Sequence, residues 1–353
     1  MKAARWHGRG DVRIDEVPEP VLSHRGDVIV SVDLASLCAS DLAEWRDGPH
    51  AIPTTRPHRL TGALSPLTLG HEYVGRVVEV GPDVTRVQVG DRVCGDACLR
   101  CGNCYWCLRG EYNICEQGGS VGLHIDGAFA PRLVVPDYTL CKVPDSVDDR
   151  SAAIVEPMAV ALHALRRVKM AAGDCVLVMG LGMVGAGVVL MAIALGARRV
   201  IVVEPSVRRR ELALGLGADS VLDPRDPGLR SEVRSLTDGI GADVVLDCTG
   251  RADVLDGAVD LSRRGGRIGI CGLSHEPSSI RSDRLVYFER DLVGCLGYRY
   301  DHTAVVALLS AGRVDPSLLL AADPIELDHI VPDGLARMAS DPDVPLRILV
   351  RVS

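Results

Sequence analysis

The sequence predicts an α/β protein of two domains, a β-rich first part followed by a doubly wound parallel sheet. Three observations carry this. The chain has 353 residues, more than one ordinary domain of roughly 150. Up to about residue 150, short β-branched runs alternate with turn residues. Beyond that point wholly apolar runs alternate with helix-like ones, the pattern of a parallel sheet covered on both faces.

The elements follow in order. Asp27–Leu34 alternates, with Val28, Val30, Val32 and Leu34 on one face. Glu72–Val80, Gln88–Cys94 and Ala128–Val135 are further strands, bounded by Gly, Pro or Asp. Segment 47–69 reads as a long polar loop with four prolines. Ser151–Val168 has the apolar spacing of a helix, Pro157 included. Strand-like runs then follow at Cys175–Met179, Val200–Val203, Ser220–Leu222, Val244–Asp247 and Arg267–Cys271. Between them lie the helical runs Val184–Leu195, Arg208–Leu216 and Ala252–Leu261, and Leu292–Gly297 serves as a last strand. The tail holds one helix, Thr303–Leu309, and a final apolar run, Leu346–Val352, expected to return to the first domain. The expected division is 1–153 with 298–353, and 154–297.

Composition excludes several classes of function. Net charge is −8, with no basic run beyond Arg208-Arg209-Arg210, which argues against nucleic acid as a partner. Aromatic residues are 3%, too few for base-stacking platforms. The longest apolar stretch, Val184–Ala197, is interrupted by glycine and too short for a bilayer, and the first residues carry no apolar leader core. A cytoplasmic protein acting on a small molecule is expected, with no membrane partner. Twelve cysteines in a reducing compartment ask for a role other than disulfides. Five of them fall between residues 98 and 115, which points to metal.

A dinucleotide site is expected after Val176–Met179, where Gly180-Leu181-Gly182-Met183-Val184-Gly185 leads into an apolar helix. Gly180 allows the tight turn, Gly182 the approach of a pyrophosphate, and Gly185 close packing of helix on strand. The N–H groups at the helix start, around Met183 and Val184, face the phosphates. Glu204 ends the next strand, where a carboxylate meets the ribose hydroxyls. Its charge repels a 2′-phosphate that Arg208, Arg209 and Arg210 would attract, so NAD is expected over NADP.

Two metal sites are expected. Cys101-x2-Cys104-x2-Cys107-x7-Cys115 closes a tetrahedron of thiolates around one zinc, a structural site. Cys98 is a fifth cysteine able to compete with Cys101. Arg100 and Arg109 lie in the same loop and offset the net negative charge. Cys38, His71 and Glu156 together make a three-ligand zinc with one open position, but spacing alone does not join them.

A resemblance joins them. The run Gly70-His71-Glu72-x2-Gly75-x5-Gly81-x2-Val84 and the cysteine loop 101–115 resemble the zinc-dependent medium-chain alcohol and polyol dehydrogenases. Agreement runs nearly the length of the chain, and Met1–His7, Val155–Val160 and Gly297–Tyr300 look most like the butanediol dehydrogenase branch. The resemblance implies a GroES-like catalytic domain, a Rossmann domain, a catalytic site in the cleft between them, and a homodimer or homotetramer. It implies Cys38, His71 and Glu156 as zinc ligands and Glu72 as a second carboxylate beside the metal. Ser40 would shuttle the alcohol proton, Asp41 would support the ligands, and Arg299 and Tyr300 would line the substrate pocket. Three positions depart from the pattern: Ala39 for a Gly, Ala43 for a His in the proton relay, and His50 where the branch has an apolar loop. Ala43 and His50 admit a larger or more polar alcohol. The expected reaction is reversible oxidation of a secondary alcohol, a vicinal diol such as 2,3-butanediol or a polyol, with NAD. The alternatives are a sugar, cyclitol or amino-alcohol as substrate and, in another class, a non-catalytic cofactor-binding redox sensor resting on Cys98.

Overall fold

A computed structural model describes residues 1–274 and 276–352. The chain divides into two compact units. One comprises residues 1–156, 302–310 and 319–353, and the other residues 157–301 and 311–318.

The first unit is built on a mixed sheet whose strand order is Leu140–Lys142, Arg92–Gly95, Glu72–Val80, Asp27–Ser36, Leu349–Arg351 and Ile325–Glu326. Arg132–Pro136 also pairs with Asp27–Ser36, antiparallel. The final apolar run therefore does return to this unit, where Leu349 and Val350 pair with Ser36 and Ala35. Asp27–Ser36 is buried on both faces, not on one, because core packs against each side of it. Trp6, Leu37, Leu69, Tyr73 and Phe129 are among the largest side chains of that core.

Several sequence expectations change here. The strand expected at Gln88–Cys94 is confined to Arg92–Gly95, and that at Ala128–Val135 to Arg132–Pro136. The strands Lys2–Gly8 and Asp11–Glu16 and the helix Ala39–Asp47 were not expected, since their charges hide the apolar period. The helix expected over 151–168 is two helices, Asp149–Ala153 and Val155–Arg167. Asp148 caps the first of them, its carboxylate accepting the Ser151 N–H. Pro157 sits in the first turn of the second, where its missing N–H costs nothing.

The second unit holds a six-stranded sheet in which every pairing is parallel. Its order is Ser220–Leu222, Arg199–Val203, Cys175–Met179, Ala242–Asp247, Ser262–Ile270 and Asp291–Gly294. This is the doubly wound order, whose chain reversal lies beside the first strand, Cys175–Met179. That strand is buried at every residue, as a strand covered by helices on both faces must be. The helix Leu229–Leu236 is a further element the sequence pattern did not show. Among the described residues no helix is long and apolar enough to cross a membrane.

Candidate active site and dinucleotide loop

Cys38 ends the turn after the strand Asp27–Ser36 and precedes the helix Ala39–Asp47. Its backbone N–H donates to the carboxylate of Asp41 at 2.9 Å, which fixes the start of that helix. Glu72 opens the neighbouring strand, paired with Ser36, so His71 and Glu72 arrive beside Cys38. The ligand atoms of Cys38, His71 and Glu72 lie within 4.8 Å of one another.

His71 and Asp41 are both buried, with Nδ1 of the ring 3.7 Å from the Asp41 carboxylate. Burial opposes a charge on His71, but Asp41, and after it Cys38 and Glu156, hold its pKa well above the ordinary imidazole value. Burial pushes the Asp41 carboxyl up against the pull of that imidazole. Ser40 Oγ lies 3.3 Å from His71 Nε2. His71 Nδ1 is buried without a hydrogen-bond partner. A thiol, an imidazole and a carboxylate this close together form a donor set that suits zinc.

Glu72 is fully buried and its charge is answered by an arginine the sequence pattern did not single out. Arg347 donates to its two carboxylate oxygens at 2.9 and 2.8 Å, and Ser36 Oγ donates at 2.7 Å. Arg347 Nη2 also lies 3.7 Å from Cys38 Sγ. Burial works against the arginine's charge, yet Glu72, Cys38 and Glu156 hold its pKa above its usual value. An arginine set among apolar residues, between Leu346 and Ile348, is the signal the sequence offers. Glu156, in the first turn of Val155–Arg167, stands outside the group of three, although its charge acts on both His71 and Arg347.

The helix Ala39–Asp47 also organises the loop that follows it. Glu44 is buried, and its carboxylate accepts the backbone N–H groups of His50, Ala51 and Ile52. Trp6 Nε1 donates to the Glu44 carbonyl at 2.9 Å. His50 itself is exposed. In the second unit, Arg299 and Tyr300 sit in a turn pinned by the buried Asp301. Its carboxylate accepts the Arg299 N–H at 2.7 Å and His163 Nδ1–H at 2.9 Å, and it pairs with Arg166. Tyr300 takes a left-handed backbone, φ 59°, and is exposed.

The four lobe cysteines converge. Cys101, Cys104, Cys107 and Cys115 place their sulfurs within 4.8 Å of one another, with separations of 4.0 Å (101–107), 3.9 Å (104–115) and 3.5 Å (101–115). A tetrahedron with Zn–S bonds of about 2.3 Å has S···S edges of about 3.8 Å, so the cradle has the dimensions of one zinc. Cys98 is outside the group and begins the short strand Cys98–Leu99. Backbone N–H groups of Cys107 and Glu116 hold the Cys104 thiol down at about 6, whereas burial pushes Cys107 up to about 12. Without a cation the four thiols therefore do not all ionise at neutral pH, and metal binding must release protons. Arg100 stacks on the rings of Tyr112 and Tyr138, and Arg109 on Tyr105.

The glycine-rich loop leaves the central strand at Gly180, whose φ of 85° suits glycine. A Cβ at Gly185 would lie 2.0 Å from the Gly180 carbonyl oxygen, so only glycine lets the helix Met183–Ala194 start there. Beside Gly182 the space is open, so a phosphate group can approach the backbone at the start of the helix. Met183 is buried at the first turn and Val184 half-buried. Glu204 is buried, and its carboxylate accepts the Leu181 N–H at 2.8 Å and the Ser206 N–H at 2.9 Å. Ser206 caps the helix Val207–Gly215 by accepting the Arg209 N–H.

A family model described as "Alcohol dehydrogenase GroES-like domain" matches residues 24–145, and one described as "Zinc-binding dehydrogenase" matches residues 183–311. The chain is 36% identical over 352 residues to the (R,R)-butanediol dehydrogenase of Bacillus subtilis, covering 99% of each protein. It is 30% identical over 354 residues to a sorbitol dehydrogenase of the same organism, covering 99% of this chain and 97% of the other. The X-ray structure of 2R,3R-butanediol dehydrogenase from Bacillus subtilis superposes with a TM-score of 0.92 at 36% identity, over 99% of each chain.

Proposed function

Because the chain belongs to the zinc-binding dehydrogenase family, and so is a zinc-dependent alcohol or polyol dehydrogenase, we propose that it interconverts a vicinal diol or polyol and the hydroxyketone, with NAD as the nicotinamide cofactor. The observation that carries this reading is the Cys38–His71–Glu72 cluster with Ser40 against the imidazole. Cys38 and His71 would hold a catalytic zinc. Both Glu72 oxygens are engaged by Arg347, and one by Ser36 as well, which favours Glu156 as the third ligand. Cys101, Cys104, Cys107 and Cys115 would hold a structural zinc.

When bound, zinc would supply Lewis-acid polarisation of the substrate oxygen, and the nicotinamide would accept the hydride. The protein's own groups do the rest. Ser40 Oγ, which lies 3.3 Å from the imidazole, takes the hydroxyl proton. Asp41 orients the imidazole from the Nδ1 side. Arg347 balances the negative charge of Cys38 and Glu72. Glu204 answers the adenosine ribose hydroxyls and repels a 2′-phosphate.

His50 gives the substrate site its polar character in this reading. A site that hydrogen-bonds a second hydroxyl rejects the analogue lacking it. Diols and polyols should therefore exceed simple secondary alcohols in kcat/KM, and His50→Ile should shift the preference toward the less polar substrate. The test compares 2,3-butanediol, 2-butanol and a ring polyol on both proteins, with zinc content checked. Equal values for 2-butanol and the diols, unchanged by the substitution, would refute a polar pocket.

A further inference from the structure

Three cysteines outside both candidate zinc sites stand in one row. Asp247, Ile270 and Gly294 are mutual register partners on three adjacent parallel strands. Cys248, Cys271 and Cys295 each follow by one residue, so they occupy the same level just past the carboxyl ends of those strands. The ladder continues through them. Cys271 N–H donates to the Asp247 carbonyl and Cys295 N–H to the Ile270 carbonyl, each at 2.9 Å. The thiols of Cys248 and Cys295 are the two largest influences on the charge state of Cys271. All three residues are half-buried.

Neighbouring strands lie about 4.8 Å apart. That is inside the range of Cα separations, about 4.4–6.8 Å, that a disulfide spans. The outer two thiols are two strands apart, so a bridge uses Cys271 and one neighbour. Contact with Cys248 comes first in holding the Cys271 thiol well above its usual range, and contact with Cys271 does the same for Cys295. Capping Cys248 removes the first of these contacts and so eases ionisation of Cys271, which burial still opposes.

The row borders the dinucleotide loop. A Cβ at Gly180 would lie 2.9 Å from the methyl of Thr249, the residue after Cys248. A Cβ at Gly272 would lie 2.1 Å from the Gly250 nitrogen, so the segments after Cys248 and Cys271 touch through their backbones. Drawing two sulfurs to the bonded distance of about 2.05 Å moves one of these segments, and with it the wall behind Gly180.

We propose that Cys248, Cys271 and Cys295 form a redox-sensitive thiol row in which a reversible Cys248–Cys271 disulfide weakens dinucleotide binding. The oxidant is a low-molecular-weight disulfide. The Cys248 thiolate attacks one of its sulfurs and expels a thiolate. Cys271 then attacks Cys248 Sγ and expels the second. The two protein protons end on the two released thiols, so one S–S bond breaks and one forms in total. Its consequence rests on the dinucleotide reading above.

The test treats the full-length, zinc-loaded protein with oxidised glutathione and maps peptides without reduction, while NADH affinity is followed by fluorescence. The expected result is a linked Cys248–Cys271 peptide, several-fold weaker NADH binding, unchanged zinc content and reversal by dithiothreitol. Cys271→Ser and Cys271→Ala should each abolish the link and the affinity change, and Cys295→Ser should keep both. Absence of the linked peptide, unchanged NADH affinity in the linked protein, or an affinity loss that persists without Cys271 would overturn the proposal. Failure of the reduced protein to bind NADH would instead overturn the dinucleotide reading, and with it the consequence claimed for the bridge.

Discussion

Replacing Arg347 by methionine should be among the most damaging changes available in the first unit. The residue is 4% exposed, and its guanidinium makes two hydrogen bonds to a carboxylate that is wholly buried. The substitution keeps the volume but leaves Glu72 charged, dry and supported by Ser36 alone. Breaking one side of a buried ion pair costs about 3–5 kcal/mol. For a unit of this size each kcal/mol is worth about 2–4 °C in Tm, so a fall of roughly 6–20 °C is expected. Glu72→Gln in the same chain removes the stranded charge and keeps a partner for Ser36, so the double variant should recover most of the loss. The assay is differential scanning calorimetry of zinc-replete wild type, both single variants and the double variant, with metal content measured on each. A fall below about 2 °C for Arg347→Met, or a double variant no more stable than that single one, would refute the account of Arg347 as the counter-charge of Glu72.

Other outcomes follow from the same geometry. Cys104→Ser should lose about one zinc per chain and lower stability while the Cys38–His71 site keeps its metal, as atomic absorption on the purified variant would show. Glu204→Ser should narrow or reverse a preference for NAD over NADP, measured as the ratio of kcat/KM values, because it removes the repulsion and leaves the nearby arginines. His124 is pushed down to about 4 by burial and then by His58, whose ring lies 4.4 Å away, and its neutral Nδ1 accepts the Ser120 N–H. A folded-state pKa below the ordinary 6.5 means that the stabilisation is full above that value and is lost as pH falls toward about 4. Thermal scans between those limits should show a steeper acid loss in the wild type than in His124→Gln.

Local chemistry was readable in the sequence, and long-range pairing was not. A strand, a glycine-rich turn and an apolar helix are contiguous, and so the loop at Gly180 is legible from one short stretch of residues. The lobe cysteines lie within fifteen positions of one another, and their spacing alone brings four sulfurs to one point. Arg347 and Glu72 are 275 positions apart, and neither has local sequence around it that names the other. Glu44 looks like an ordinary charge on an amphipathic helix until the chain turns back and offers it three backbone N–H groups. The thiol row is hidden for a related reason. Its members meet only because three parallel strands end in step.

The Glu44 cradle bears on how a protein of this kind changes what it accepts. The loop at residues 50–52 is suspended from one carboxylate by main-chain N–H groups, which every residue except proline carries. Its path is thus indifferent to the identity of the side chains it displays. Substitutions at His50 and Ala51 alter what is presented without loosening the attachment, while a change at Glu44 releases all three at once. Divergence by point mutation is then cheap at the displayed positions and nearly forbidden at the anchor. Families of closely related enzymes with different substrates would be expected to vary at the first and hold fast at the second.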